Sequence, residues 1–209
     1  METAAGDFEL ALQTLRRLGL LLETDARLPS VASLIAGEPI SGSWWGHARA
    51  HEIFAALEQF DDHRDVLFTK LISGKVTLVH RKLWPEIFAL GTARAPWQLQ
   101  SLSRSAVNLL EMIDKQGSLR TDAIAWAKSA AAKPGEAARE LEKMLLVHAV
   151  QIHTETGAHA KLLETWEAWA KRIKFKAAAM PAVNAQTKIG EKVRKLNDQF
   201  GARARLPWA

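Results

Sequence analysis

The chain has 209 residues, with 28 Lys/Arg, 23 Asp/Glu, no cysteine and a formal net charge of +5. The lack of cysteine excludes disulfides, thiolate nucleophiles, CxxC redox chemistry and cysteine-zinc sites. No run reaches the roughly 18 apolar residues that span a bilayer. The acidic N-terminus has no basic-then-apolar signal pattern, so a cytoplasmic protein that does not engage membranes is expected. The charge is unevenly placed. Residues 171–209 hold ten Lys/Arg against two Asp/Glu, whereas the first 170 residues hold 18 basic against 21 acidic groups. Clustered positive charge attracts polyanions, nucleic acid above all.

From the N-terminus, Asp7 can cap a helix running to about Glu23, with Phe8, Leu12, Leu15 and Leu18 at helical spacing. Pro29-Ser30 opens a short helix, Val31 to Ala36, stopped by Gly37. The Gly, Pro and Ser content of residues 37–46 marks a loop. A helix from His47 to Phe60 should bury Ile53, Phe54, Leu57 and Phe60. VLFTKLI and KVTLVH, separated by Ser73-Gly74, predict a hairpin. Trp84 to Leu90 predicts a helix with Pro85 in its first turn and Gly91 after its end.

Pro96 begins a second unit. Ser103 or Ser105 caps a helix through Asp114, and Gly117 stops it. Ser118-Leu119-Arg120 suits a short strand. Thr121 or Asp122 can cap a helix carrying Ile124 and Trp126. Pro134 opens a further helix with the stripe Ala138, Leu141, Leu145. Val147, Val150 and Ile152 supply β-branched residues, and Gly157 the permissive turn position, for a second hairpin. Turning at Thr156-Gly157 sets Glu155 opposite Ala158 and His153 opposite Ala160. A continuous helix from Gly135 to Lys171 is the alternative, against which Gly157 and the β-branched residues argue. Helix, short strand, helix, helix, hairpin is the winged helix-turn-helix order. In the tail, Ile189, Val193, Leu196 and Phe200 share one face of a helix. That face should dock on the body, leaving GARARLPWA more mobile. No sequence repeat is evident.

The fold class expected is therefore α+β, mainly α. Residues 1–95 form one helix-and-hairpin unit and 96–170 a winged-helix-like unit. Residues 171–209 form a basic extension containing a helix.

Catalytic groups are sparse. His47 and His51, at i and i+4, could share a metal, but HARAH lacks the glutamate of HExxH and has no third ligand. His148, His153 and His159 cluster with Glu155 at the second hairpin, yet His148 and His153 fall on opposite strand faces. No GxxxxGK[ST], GxGxxG or GxSxG motif is present. Neither a metal, a cofactor nor a catalytic set is expected. Candidate phosphate contacts are Lys70, Lys75, Arg81 and Lys82 of the first hairpin, Arg139 and Lys143 of the helix after Pro134, and Lys192, Arg194, Lys195, Arg203 and Arg205 of the tail. The helix after Pro134 also carries Glu136, Glu140 and Glu142, which should weaken its hold on a phosphate backbone. Trp44 and Trp45 are the aromatic candidates for stacking.

The element order of residues 96–170, the leucine run 141–146 and the wing turn resemble the winged-helix module appended to bacterial alkylpurine DNA glycosylases. The blocks SGSWWGHARAHEIF (41–54), SGKVTLVHRKLWP (73–85) and LLVHAVQIHTETGAHAKLLETWEAWA (145–170) resemble an uncharacterised bacterial protein family. The glycosylase resemblance implies a Gln-apolar-Gln or Gln-apolar-Asp catalytic motif in the N-terminal half. The expectation is that this half lacks it, Leu22-Glu23-Thr24-Asp25 being the nearest acidic cluster. A non-enzymatic nucleic-acid-binding or regulatory protein, with duplex DNA as partner, is the leading expectation. A protein-interaction scaffold and a repair-type glycosylase are the alternatives.

Overall fold

The computed structural model describes residues 2–124, 133–153 and 159–209. The predicted helix carrying Trp126 and the turn at Thr156-Gly157 lie outside the described residues. The fold is α+β and mainly α, and the described residues form two three-stranded antiparallel sheets. The chain divides into two compact units. The first comprises Met1–Trp84, Thr187–Pro207 and Ala209, and the second Pro85–Gln186 and Trp208.

In the first unit, α1 (Glu2–Leu18) leads into β1 (Leu20–Leu22). The single long helix expected to Glu23 is thus cut short. Gly19, at φ +81°, turns the backbone, and the three leucines that follow bury against the core as an extended run. α2 (Val31–Ala36) begins as expected: the Ser30 hydroxyl accepts from the Ser33 N–H and the Ser33 side chain accepts from the Ser30 N–H. α3 (Ala50–Asp61) buries Ile53, Ala56 and Phe60. Phe54, expected inside, is instead 40% exposed, because the buried line follows residues 53, 56 and 60. β2 (Val66–Thr69) and β3 (Thr77–His80) form the hairpin, and the sheet order is β1-β3-β2. The connection is a longer loop than Ser73-Gly74 alone. It folds inward, burying Leu71 and Ile72.

α9 (Ala182–Phe200) carries the basic tail, and its stripe is docked: Ile189, Val193 and Leu196 are 0%, 2% and 5% exposed. Each contributes about 2 kcal/mol of burial. The residues after it are not loose. The Asn197 side chain brackets Ala204, bonding both its N–H and its C=O at 2.9 Å. The Ser73 N–H donates to the Arg205 carbonyl at 2.8 Å, the Arg205 N–H returns to Ser73 Oγ at 3.1 Å, and Leu206 is buried. Polar brackets around one buried leucine hold a segment that composition alone presents as mobile.

In the second unit, α4 (Trp84–Thr92) continues through Gly91 rather than ending before it. The Trp166 indole lies against Gly91 where any Cβ would stand, so glycine serves a close approach here and not a stop. α5 (Pro96–Leu99) and α6 (Arg104–Gln116) follow, the latter capped by Ser103, then β4 (Ser118–Arg120). α7 (Pro134–Lys143) packs Ala137, Ala138 and Leu141 against Leu109 and Ile113 of α6. β5 (His148–His153) and β6 (His159–Glu164) form the second hairpin, with sheet order β4-β6-β5. Its register sets His153 opposite His159 and Ile152 opposite Ala160, one step from the pairing expected for a two-residue turn. α8 (Trp166–Arg172) is capped by the Thr165 hydroxyl. Each unit thus runs from a helix through a three-residue strand to a helix and a hairpin, and each places its third strand in the middle of the sheet. This likeness is invisible as a sequence repeat.

Candidate nucleic-acid interface

The C-terminal end of α1 gathers cations from three distant parts of the chain. Its last turn carries Arg16 and Arg17. Lys82, just past β3, donates to the Arg16 carbonyl, and Lys192 of α9 donates to the Leu18 carbonyl at 2.7 Å. Carbonyls at a helix C-terminus carry partial negative charge and attract ammonium groups. Gly19 makes room for both: a Cβ there would stand 3.0 Å from Lys82 Cε and 3.4 Å from Lys192 Cε. Partial burial, then the charges of Lys82 and Lys195, pull the Lys192 pKa below the ordinary lysine value. Nearby, partial burial and then Lys82 lower the pKa of His80. The cations therefore repel one another, and a bound anion would relieve that repulsion.

The other hairpin candidates are differently placed. Lys75 pairs with Asp25 at 2.6 Å, and Arg81 with Asp65 at 3.4 Å. The guanidinium of Arg81 also lies 5.8 Å from the Trp84 ring centroid. Burial pushes the Asp25 carboxyl up, but the Lys75 ammonium and the Arg27 and Leu28 N–H groups outweigh it and hold it below the usual range. Lys70 is half-buried after β2, while Arg194, Lys195, Arg203 and Arg205 are exposed. The structure brings Lys82, Lys192 and Lys195 together. Arg16 and Arg17, missed from the sequence, lie in the same turn of α1, Arg16 also reaching Glu9 at 3.7 Å. Their signal was present as two arginines in the last turn before a glycine.

On α7, Arg139 and Lys143 are exposed, and its carboxylates are engaged within the protein. Glu136 accepts from the Lys133 N–H, Glu140 from the Ser103 N–H and hydroxyl, and Glu142 pairs with Lys161. Two of these carboxylates cap helices and keep their charge, and only that of Glu142 is offset by a cation.

Trp44 is buried, its indole N–H donating to Glu23 at 3.0 Å. Trp45 stacks on it at 4.2 Å and is 64% exposed. His47 precedes α3 and bonds to Glu38 at 3.1 Å. Among the described residues no group of three His, Cys, Asp or Glu could hold a metal ion. No described helix is long and apolar enough to cross a membrane. His148 is 6% exposed between Trp166 and Trp169, and its Nδ1 has no hydrogen-bond partner.

Compared with known protein families, residues 6–204 match the AlkZ-related family. The chain belongs to that family. This places it among relatives of AlkZ-like DNA glycosylases, a DNA-repair-linked context. No curated protein and no solved structure matches it.

The expected absence of a Gln-apolar-Asp or Gln-apolar-Gln tripeptide from the N-terminal half does not hold. Gln59-Phe60-Asp61 and Gln98-Leu99-Gln100 both spell the Gln-apolar-Asp/Gln pattern expected to be missing. Gln98 is fully buried and committed: its Oε1 accepts from the Ala95 N–H at 2.8 Å and its Nε2 donates to the Met144 carbonyl at 2.8 Å. Gln59 and Asp61 are exposed at the end of α3, with Phe60 buried between them. Positions i and i+2 of a helix face different ways. Gln59 donates to the Ala55 carbonyl at 3.2 Å. Partial burial, then the charges of Asp62, Glu23 and Glu58, push the Asp61 carboxyl up.

Proposed function

We propose that this AlkZ-related chain is a non-enzymatic nucleic-acid-binding protein that grips duplex DNA by its phosphates. The carrying observation is the convergence of Lys82 and Lys192 over the C-terminal carbonyls of α1, beside Arg16, Arg17 and Lys195. Each ammonium has three donors and spends part of them on α1, so further N–H groups can reach a phosphate oxygen. Arg194, Arg203 and Arg205 add exposed positive charge in the same unit. We further infer that residues 96–170 form a winged-helix module. The strand order β4-β6-β5 and the packing of α7 on α6 support this reading. On it, α7 presents Arg139 and Lys143 to the duplex as phosphate contacts.

A second reading, base excision, has one observation in its favour: Asp61 is a carboxyl with a raised pKa inside a Gln-apolar-Asp tripeptide. The carboxylates around it would repel a phosphate backbone, and Gln59 and Asp61 do not converge on one face. Fluorescence anisotropy with a mixed-sequence duplex tests the first reading. Binding at low salt should weaken with a log–log slope of about −3 to −4, for four or so phosphates neutralised. No binding at about 10 μM protein would sink it. Incubation with alkylated duplex DNA should release no free base, and release would establish the second reading.

A further inference from the structure

Within the first unit, the aromatic pair Trp44–Trp45 and the end of α3 make a surface opposite in sign to the α1 cluster. Trp45 is 64% exposed and Phe54 40% exposed, with their ring centroids 5.7 Å apart. Trp45 is held, not loose. It stacks on buried Trp44 at 4.2 Å with an interplanar angle of 25°, and Trp44 is pinned through its indole N–H to Glu23 at 3.0 Å. An exposed, pre-positioned aromatic of this kind marks a recognition surface.

The surrounding charges select the occupant. Glu58 lies one helical turn beyond Phe54 on α3 and is exposed. The crowding of like charges felt by Asp61 comes from Asp62, Glu23 and Glu58. Glu38 stands beside His47, two residues past Trp45. Arg49, four residues past Trp45, is occupied by Asp7, the Ile35 carbonyl and Glu52. The ledge is therefore aromatic in its floor and anionic at its rim. A nucleobase could stack on Trp45, but its phosphates would meet carboxylates. A guanidinium stacks on an indole face and pairs with carboxylates at once.

We propose that the Trp45–Phe54 ledge docks an arginine-containing basic segment of a partner protein, with Trp45 stacking under a guanidinium and Glu58, Asp61 and Asp62 pairing with the flanking cations. Such a surface lets the protein hold a basic protein partner by one face while the α1 cluster is free for a polyanion. It stands on observations separate from the DNA-binding reading, and either can fail alone.

The test uses the full chain labelled with 5-fluorotryptophan, the Trp45 resonance among the eight tryptophans being assigned by its loss in Trp45→Phe. The probe is amidated hexa-arginine, with hexaglutamate and a short single-stranded oligonucleotide as comparators. Hexa-arginine should shift the Trp45 resonance, with saturation below about 1 mM. The double variant Glu58→Gln/Asp61→Asn should weaken that affinity about tenfold while its melting temperature does not fall. Four results overturn the proposal. The first is no shift with hexa-arginine, and the second an affinity unchanged in the double variant. The third is a Trp45 shift driven by the oligonucleotide instead, which makes the ledge a base-stacking site. The fourth is a Trp45 shift that follows protein concentration alone with a doubled mass, which makes a second copy the occupant.

Discussion

His148 should make the protein acid-labile well above the range where carboxylates titrate. Its ring is packed between Trp166 and Trp169, with centroids 5.8 and 5.7 Å away. Burial, and then the Arg172 charge, pull its pKa down to about 3 from an ordinary value of 6.5. Glu164, 4.0 Å from Nδ1, could favour the imidazolium, but its carboxylate is held by Arg172 at 2.9 and 3.2 Å. The native state therefore keeps His148 neutral while the unfolded chain protonates it below pH about 6.5. Proton uptake by the unfolded state alone lowers stability as pH falls. The loss begins near pH 6.5 and continues until the native ring itself titrates near pH 3. Between pH 7 and pH 4 it amounts to about 3 kcal/mol, at 1.36 kcal/mol per pH unit. Urea melts of wild type and His148→Phe across pH 4–7 isolate the effect, since other groups titrate alike in both. The variant should lose most of the slope between pH 6.5 and 4. Its stability at pH 7 should stay within about 1–2 kcal/mol of wild type, because Phe fills the slot and removes the unpaired Nδ1. Parallel curves for the two proteins would refute a neutral, solvent-excluded His148.

The remaining expectations concern packing and charge. Gly91→Ala drives a methyl into the Trp166 indole, which is fixed by its 2.7 Å bond to the Leu145 carbonyl; thermal melts should record a loss of about 3 kcal/mol. Val193→Asp places a carboxylate at a site 2% exposed and should cost at least about 3 kcal/mol, with amide exchange in α9 rising alongside. An unchanged melting temperature with free-peptide exchange would mean that α9 is undocked. Gly19→Ala meets φ +81° and the Lys82 and Lys192 stems; it should lower stability by about 1–2 kcal/mol and flatten the salt dependence of DNA binding by about one phosphate's worth. Asp61→Asn removes the carboxylate that Asp62, Glu23 and Glu58 crowd, so its melting temperature at pH 7 should rise, and the gain should shrink as pH falls and wild-type Asp61 protonates.

Local chemistry made much of this protein legible in the sequence. Ser30 and Ser103 cap the helices they precede, and the β-branched run before Gly157 does form a strand. The 189–193–196 stripe docks because helical spacing and apolarity suffice to specify a buried face. These are decisions made within a few residues. Leu20–Leu22 went the other way: apolar residues fit a helix or a strand equally, and pairing with Leu78 and Val79 decided for the strand.

What tertiary structure alone decided are the meanings of residues whose partners lie far along the chain. Gly91 reads as a helix stop until Trp166, 75 residues later, occupies the space of its missing side chain. The last residues read as a mobile tail until Ser73 and Asn197 bracket them. Glu142 reads as a charge repelling a polyanion until Lys161 pairs with it. Lys75 reads as a phosphate contact until Asp25 pairs with it, whereas Lys82 and Lys192, 110 residues apart, converge at the end of α1. Composition determined that the chain is basic and that the tail carries the excess. Which cations remain available to a ligand depends on the carboxylate or carbonyl that folding brings within about 4 Å, and electrostatic pairing at that range is set by three-dimensional position and not by sequence separation.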